Sequence, residues 1–312
     1  MTINAKVILD SVSPAGDRLT TFVLTYPRFI HSEFMTHRAF SRNASSSRAI
    51  PISKMLEAVK YNPAMPVRFG LNGKGMQDHG DLSPFGEKRA VDLWLQARDY
   101  ALGIASEMAN SKEPPHKQIV NRILEPYAHM TTILTATSFE NFFALRNDAD
   151  ADPTFRVLAD VMEVEYRNHI PSLREPGEWH LPFVEGTDIE DALKYAMDAT
   201  PPGVLDLQDL DHRVTAICLA ISTARCARVS YVNHEGKRSG IAEDMAMVDR
   251  LMKARKCHAS PAEHQASPDE VAGDTYLRPH HHGNFTGWVQ HRKLWPTEAV
   301  PQPKYTGPVR HG

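Results

Sequence analysis

Residues 36–48 carry the side chains that suit an anion with several oxygens. Three arginines and one histidine lie in this stretch among asparagine and hydroxyl side chains, and it contains no carboxylate. The planar guanidinium fork matches phosphate oxygens, while Ser and Asn add short, adaptable hydrogen bonds. The stretch therefore predicts an oxyanion site, with a nucleotide phosphate as the first candidate. A solvated basic loop is the competing interpretation, because this composition is also common in turns.

The sequence before this stretch indicates rigid elements that would position it. Residues 20–27 are rich in β-branched and aromatic side chains and end at a proline, which is typical of a strand. Residues 29–35 follow, and their apolar Ile30 and Phe34 have the spacing of a helical turn. A strand, a short helix and a polar loop in succession favour a built site over a plain surface loop.

The same stretch resembles the signature R-H-R-x-x-S-x-N-x-x-S-x-R of the flavin-dependent thymidylate synthases. Six of its seven fixed positions are matched, by His37, Arg38, Ser41, Asn43, Ser46 and Arg48. Two positions depart from the family. Thr36 stands where the first arginine is expected, and Ala44 stands where many members carry glutamate.

Two further segments resemble pieces of the same family. Residues 121–126 are similar to its Ala-Arg-x-x-Leu-Pro segment, and this resemblance implies that Arg122 binds the substrate nucleotide. Residues 135–146 are similar to the helix that ends Asn-Phe-x-x-Leu-Arg. That resemblance implies a flavin contact for Asn141 and a nucleotide contact for Arg146.

The two arginines also have a structural interpretation that needs no ligand. An arginine on a helix surface is usually solvated or loosely paired, which would account for Arg122. Arg146 follows an apolar, Phe-rich segment, so part of its stem is expected to be buried and its charge to need a partner. Three nearby aspartates could supply that partner, namely Asp148, Asp150 and Asp152.

A third matching piece lies near the C-terminus, whereas the family has it at the N-terminus. Residues 226–231 resemble Ala-Arg-x-Ser-Tyr, and residues 258–264 resemble His-x-Ser-Pro-x-Glu-His. The order of the pieces is thus circularly permuted, which folds tolerate because chain termini often lie close together on the surface. We expect one synthase-like domain over 1–266, with the displaced piece at about 218–266, and a loop-rich extension over 267–312.

The resemblance implies an activity and a set of ligands. Family members methylate C5 of dUMP, taking the carbon from methylenetetrahydrofolate and a hydride from reduced FAD, which NADPH regenerates. It also implies a homotetramer and an α+β fold, with a small antiparallel sheet packed by long helices. The implied catalytic residues are Ser46, Arg48 and Arg146. The implied substrate ligands are Glu33, Ser46, Ser47, Arg48, Arg122 and Arg146. The implied flavin ligands are His37, Arg38, Ser41, Asn43, Asn141, Ser230, His258, Ser260 and Glu263.

Two other functions stay open. A deoxyuridylate or deoxycytidylate hydroxymethyltransferase could use the same scaffold, because Thr36 and Ala44 both replace charged residues near substrate and flavin. A non-catalytic nucleotide-binding homologue is the second alternative. Residues 290–292, Gln-His-Arg, partly resemble the lead-in to the main signature and could replace the arginine missing at position 36.

The composition fits a globular protein of the reducing cytoplasm. The 312 residues are 42% hydrophobic with a net charge of −3, which argues against a protein that coats nucleic acid. No apolar run is long enough to cross a membrane, and no signal peptide precedes the first strand. The three cysteines form no paired framework. Consecutive histidines at 280–282 favour a polar loop over a metal site, because adjacent residues share no face.

Hydrophobic periodicity and turn residues predict the remaining elements. Strands are expected at 5–10 and 19–25, around a turn at 13–17. The segment 70–84 is predicted to be a polar, Gly-rich loop that either covers a pocket or is disordered. The segment 265–286 is predicted as a loop, and 296–312 as an extended tail. Helices are predicted at 52–60 with Ser53 as N-cap, 86–110, 115–146 with a break at Pro126, 153–168, 187–197, 207–226 and 241–256.

Overall fold

The computed structural model of this chain describes residues 3–200, 206–229, 238–252 and 257–299. Its strands are β1 (Asn4–Val12), β2 (Arg18–Pro27), β3 (Ser41–Ala44), β4 (His129–Ala136), β5 (Ser172–Leu173), β6 (Ala266–Pro268), β7 (Val271–Ala272), β8 (Thr275–Tyr276) and β9 (Trp288–Gln290). Its helices are α1 (His31–Phe34), α2 (Ile52–Tyr61), α3 (Pro84–Ala109), α4 (Lys117–Leu124), α5 (Glu140–Arg146), α6 (Pro153–Asn168), α7 (Gly186–Asp198), α8 (Leu207–Arg228) and α9 (Ile241–Met252). The fold is α+β, as the sequence predicts. Three predicted features lie outside the described residues: Ser230, the end of the 241–256 helix beyond 252, and the tail from residue 300.

Five strands form the central sheet in the order β3, β4, β2, β1, β5. Strands β1 and β2 pair antiparallel across the predicted turn, in which Gly16 has a φ of 91° that favours glycine. Strand β4 lies antiparallel to both β2 and β3, and β5 adds two residues parallel to β1. The predicted strands at 5–10 and 19–25 are confirmed within β1 and β2, and the sheet is small and mostly antiparallel.

The predicted helix over 115–146 is wrong in its central part. The structure has α4, then a 3-10 turn at Glu125–Tyr127, then β4, and only afterwards α5. Strand β4 is paired on both edges, and nearly all of it is buried. A strand buried on both faces shows no polar alternation, so its apolar residues can be taken for a helix face. Its β-branched residues are the signal that favours a strand, namely Thr131, Thr132, Ile133 and Thr135.

One face of the sheet carries the main apolar core. Phe22, Leu24 and Leu134 of the sheet pack in one cluster with aromatic residues of α1, α5 and α6. Phe34 lies in ring contact with Phe142 and Phe155, at centroid distances of 6.2 and 6.0 Å. This cluster fixes α1 and α5 to the same side of the sheet.

The opposite region of the sheet holds a buried polar chain. Thr21 of β2 and Thr135 of β4 are opposite each other in register and share a hydroxyl hydrogen bond of 2.7 Å. His180 bridges Ser11 and Thr21 at 2.8 Å each, and His264 meets Thr135 at 2.8 Å. All five side chains are fully buried. The chain ties the 180 and 264 segments, distant in sequence, to the sheet.

The segment predicted as a loop at 265–286 contains short strands. Strand β6 pairs antiparallel with β9, and β7 pairs with β8. Phe285 and Trp288 are fully buried and pack with Leu19 of β2 and Ala266. Strands of two or three residues are too short to give a periodicity, so sequence reasoning missed them. The predicted boundary at residue 266 falls inside β6, and Phe285 and Trp288 after it pack against Leu19 of the sheet.

The remaining helices form two packed groups. Helices α2, α3 and α4 share a cluster that includes Met55, Ala105 and Val120. Helices α7 and α8 share another that includes Ala192 and Ile221. The predicted cap at Ser53 is wrong, because Pro51 occupies the N-cap position of α2 and no side chain caps it. Within the described residues, no helix has both the length and the apolar character needed to cross a membrane.

Candidate functional site

A cavity of about 430 Å³ lies between the end of α1 and helix α5. Two of the segments that the sequence singles out supply its walls. Its polar lining includes two cationic side chains, Arg38 and Arg146, and the imidazole of His37. None of the residues that line it carries a carboxylate. The lining residues are Thr36, His37, Arg38, Ala39, Phe40, Ser138, Asn141, Phe142, Leu145 and Arg146.

The end of α1 places the residues of the signature at the cavity. The Thr36 backbone N–H and hydroxyl both donate to the carbonyl oxygen of Glu33, at 3.0 and 2.7 Å. These bonds satisfy a carbonyl at the helix terminus, which otherwise lacks an intrahelical partner. Thr36 therefore has a local structural role where the family signature has a cation. The chain then turns back through Phe40 into β3.

His37 and Arg146 are joined directly. The Arg146 Nε–H donates to His37 Nε2 at 3.0 Å, and its Nη1 lies 3.4 Å from a Glu33 carboxylate oxygen. Burial, together with the positive charges of Arg146 and Arg42, lowers the pKa of His37 to about 4. Glu33, and not the aspartates at 148, 150 and 152, is the acidic partner of Arg146 among the described residues.

The second half of the signature lies against α4. The Ser47 hydroxyl is buried and donates to Glu125 at 2.5 Å, and Arg28 lies 3.2 Å from the same carboxylate oxygen. The Ser47 hydroxyl thus gives its proton to Glu125, and its substrate contact remains a prediction. The exposed Ser46 and Arg48 flank it and remain accessible.

Arg122 is exposed on α4, and neither it nor Arg48 lines the 430 Å³ cavity. The structure thus separates the predicted nucleotide ligands into two groups. Arg146 lines the cavity and Glu33 is its acidic partner, whereas Ser46, Arg48 and Arg122 lie on exposed loop and helix surface. Glu33 has 46% of its side chain exposed, so it remains open to a ligand.

The displaced C-terminal piece does come next to the main signature. The Asn43 amide donates to the Cys226 carbonyl at 3.4 Å, at the end of α8. Ser41 is buried, and its hydroxyl donates to Asn284 at 3.1 Å. Gln290 donates to both Ser41 Oγ and the Glu263 carbonyl, at 3.3 and 3.0 Å. The predicted neighbourhood of these pieces is therefore present, although Ser41 and Asn43 are already used in holding it together.

Glu263 and Arg292 form an ion pair, and Arg292 also lies 2.9 Å from Glu298. Arg292 is thus engaged with acidic partners and does not line the cavity in place of an arginine at position 36. His258 and Ser260 are exposed. Their flavin contacts remain predictions.

A second cavity of about 580 Å³ shares Arg146 with the first, and Glu33 is part of its own lining. The predicted covering loop at 70–84 contributes Met76, Gln77 and Asp78 to its wall, and Arg68 pairs with Asp78 at 2.9 Å. Sequence reasoning missed Arg68 and Ser138 as lining residues. No local signal marks them, since they reach the site only through long-range packing.

Of the histidines at 280–282, His282 has a structural role. His282 Nε2 lies 2.9 Å from a buried carboxylate oxygen of Asp269, which also accepts from the Arg278 backbone and guanidinium. In the part of the chain that the structure describes, no group of three His, Cys, Asp or Glu residues is arranged to hold a metal ion.

Comparison with known proteins gives a fold likeness only. No protein-family model matches the chain, and no curated protein matches it. Two solved structures of the UMP/dUMP methylase PolB from Streptomyces cacaoi, bound with 5-Br UMP and 5-Br dUMP, are 15% and 17% identical to it. The alignments cover 53% of this chain and 88% and 90% of those chains, with a TM-score of 0.43 for both. A likeness at this TM-score carries no argument about the activity of this chain.

Proposed function

We propose that this protein is a flavin-dependent enzyme that methylates dUMP to dTMP, with methylenetetrahydrofolate as the carbon donor. One observation carries the proposal. His37 of the main signature and Arg146 of the downstream helix, 109 residues apart, are hydrogen-bonded to each other at a shared cavity. Both were singled out by sequence alone for one nucleotide and flavin site. Two surface residues without a shared function are not expected to form a hydrogen bond at the same cavity.

The residues at the cavity fit a flavin. A flavin has an apolar ring plane, carbonyl and ring-nitrogen acceptors at its edge, and anionic phosphates in FAD. Phe40 and Phe142 provide apolar surface, and Arg38 and Asn141 provide donors. The absence of carboxylates from this lining suits an anionic ligand. His37, Arg38 and Asn141 would hold the group, and bound FAD would supply the hydride, with NADPH as reductant.

The chain's own residues would orient the nucleotide and stabilise its charge. The guanidinium of Arg146 uses Nε and Nη1 within the protein, and its Nη2 has no partner among the described residues. This nitrogen would donate to an acceptor of the nucleotide. The exposed Arg48 and Ser46 would bind the phosphate, since a guanidinium fork matches its oxygens.

The cysteines fit a route that needs no enzyme thiolate. Burial raises the pKa of Cys218 to about 11, and it also raises the pKa of Cys226. A thiol with a raised pKa is a poor nucleophile, and neither residue lines the cavity. The homotetramer and the contacts of Ser230, His258, Ser260 and Glu263 with flavin are part of the same proposal.

The absorbance spectrum of the purified protein is the first test. We expect a flavin spectrum as isolated or after addition of FAD, and then conversion of dUMP to a product heavier by one CH2 unit, since a methyl group replaces the hydrogen on C5. The assay contains dUMP, methylenetetrahydrofolate, FAD and NADPH, and omission of each in turn is the control. A protein that takes up no FAD overturns the proposal.

One observation favours a second candidate, transfer of a hydroxymethyl group to a deoxyuridylate or deoxycytidylate. Thr36 lines the cavity where the family signature has an arginine, so the cavity has one cation fewer than the signature implies. The loss of a positive charge beside the reacting group would allow the one-carbon unit to be transferred as a hydroxymethyl group and not as a methyl group. The mass of the product separates the two candidates, and turnover of dCMP alone would support the second.

A further inference from the structure

We infer that Arg146 fixes the neutral tautomer of His37 that carries its proton on Nδ1, and that this N–H donates to the ligand of the 430 Å³ cavity. Arg146 acts here as a positioning residue, through His37. The inference rests on the proposed function for the identity of the ligand, a planar heterocycle whose edge presents carbonyl or ring-nitrogen acceptors. The tautomer itself can be examined without any ligand.

The position of the proton follows from the contact between the two side chains. Arg146 Nε lies 3.0 Å from His37 Nε2 with the geometry of a donated hydrogen bond. A guanidinium has only donors, so Nε2 must present its lone pair. In a neutral imidazole the proton is then on Nδ1.

Aromatic contacts hold the ring in this orientation. The His37 ring meets the Phe142 ring edge-on, with centroids 4.9 Å apart and an interplanar angle of 88°. Phe40 lies against it at 5.9 Å and Phe155 at 6.1 Å. The Arg146 guanidinium also lies 4.9 Å from the Phe155 centroid. Both partners of the hydrogen bond are therefore packed on the same aromatic residue, which limits rotation of either.

The surrounding charges favour the neutral ring. Burial is the largest cause of the lowered pKa of His37. The positive charges of Arg146 on α5 and Arg42 on β3 also lower it. The carboxylate on this side is Glu33 of α1, and it lies against the Arg146 guanidinium. His37 is thus a neutral donor at neutral pH, because its pKa of about 4 lies well below it.

The Nδ1–H has no partner among the described residues, while its ring lines the cavity. A donor left free at a cavity wall selects a ligand atom that accepts a hydrogen bond. The Nδ1–H of His37 therefore favours a ligand with a hydrogen-bond acceptor at this point. A ligand with an N–H there would bind more weakly, because two donors would face each other.

Nitrogen NMR of the ligand-free full chain, labelled with ¹⁵N-histidine, tests the tautomer. We expect His37 Nε2 to resonate as an unprotonated nitrogen and Nδ1 as a protonated one, with His37→Asn used to assign the signals. Arg146→Lys keeps a donor and should preserve the pattern, whereas Arg146→Met should produce a mixture of tautomers. Protonated Nε2 in the wild type, or no change in Arg146→Met, overturns the inference.

Two isosteric variants test the donor and do not depend on how well Arg146→Met folds. His37→Asn places an amide near the Nδ1 position, and His37→Gln places one near Nε2. In titrations with FAD and with dUMP, we expect His37→Asn to stay within about threefold of the wild-type Kd. His37→Gln should weaken the ligand that contacts this donor by about tenfold, the scale of one hydrogen bond. Equal losses, or the reverse order, overturn the inference.

The proposed function and the tautomer of His37 are tested by different outcomes. A wild-type protein that binds neither FAD nor dUMP sinks the proposed function, and the ligand contact of His37 falls with it. The NMR signals then still decide whether Arg146 sets the tautomer. A protein that binds FAD normally but shows a protonated Nε2 refutes only the inference drawn from the His37–Arg146 contact.

Discussion

The side-chain amide of Asn121 holds the backbone of Ser47, by a hydrogen bond of 2.8 Å from Nδ2 to the Ser47 carbonyl oxygen. The same nitrogen donates to the Ile50 carbonyl at 2.9 Å. Asn121 is fully buried on α4, so these bonds form away from water. The loop that carries Arg48 is therefore fixed at both ends by one side chain.

Replacing Asn121 by alanine should destabilise the protein and weaken nucleotide binding. Two buried carbonyls lose their donor, which costs about 1–3 kcal/mol in the free energy of unfolding. The loop with Arg48 would also lose its anchor. We would measure denaturant unfolding and dUMP binding. Asn110→Ala is the matched control, because that exposed amide bonds only to its own helix. Wild-type stability in Asn121→Ala would show that the clamp is unimportant.

The phosphate role of Arg48 predicts a selective loss. Arg48→Ala should weaken dUMP binding by about 1.5–3 kcal/mol, the usual scale for a hydrogen bond to a charged group. FAD binding should change little, since Arg48 lies outside the lining of the cavity. Calorimetric titration of both ligands measures this, and Arg250→Ala, an exposed arginine on α9, serves as the control. Unchanged dUMP affinity would show that the exposed loop has another purpose.

The elements beside the site could be predicted from sequence to the extent that their signals are local. β-branched residues and a Gly-containing turn mark β1 and β2, and both are present. Strand β4 was missed because its burial on both faces removes the alternation of polar residues. The strands β6 and β9 were missed because three residues give no period.

The composition of the site was more predictable than its contacts. The family resemblance predicts that His37 and Arg146 lie in the same site. Their spacing in the sequence does not predict that Arg146 Nε donates to His37 Nε2. Ser47 resembles a ligand residue in sequence, whereas the structure gives its hydroxyl to Glu125. Such assignments depend on side chains that are distant in the sequence. The role of His180 in the buried polar chain has the same origin, since its partners Ser11 and Thr21 are 169 and 159 residues away.

Buried histidines predict a loss of stability in mild acid. Burial lowers the pKa of His180 and of His264 to about 3, from an ordinary value of 6.5. The unfolded chain therefore binds more protons than the folded chain between pH 6.5 and 3. The contribution of these two histidines to the free energy of unfolding is therefore fully present above pH 6.5. It falls as the pH is lowered through this window, by about 1.4 kcal/mol per pH unit for each histidine.

The variant His264→Asn isolates one of the two contributions. Its amide can still bond Thr135 but cannot titrate, so the slope of unfolding free energy between pH 6.5 and 5 should decrease. Denaturant unfolding at several pH values gives this slope. His212→Asn, at an exposed position on α8, should leave it unchanged. A slope that persists in His264→Asn would assign the acid sensitivity to other groups.

Burial of Trp288 predicts that the C-terminal segment folds together with the sheet. Its side chain is fully buried among Leu19, Ala266 and Phe285, and its indole N–H donates to the Asp17 carbonyl at 3.2 Å. Trp288→Ala should therefore cost about 3–5 kcal/mol of unfolding free energy, the scale of a buried aromatic residue. Leu277→Ala, which removes a largely exposed side chain, should cost little.

The Trp288 variant also separates a packed segment from an independent extension. If residues 267–299 fold with the sheet, far-UV circular dichroism and Trp fluorescence will report one transition in the wild type, shifted to lower denaturant in Trp288→Ala. Fluorescence must then be read from the three other tryptophans of the chain. If the extension folds separately, Trp288→Ala would abolish the unfolding transition of the extension and leave the unfolding transition of the sheet unchanged. Because Leu19 belongs to the central strand β2, we expect the first result.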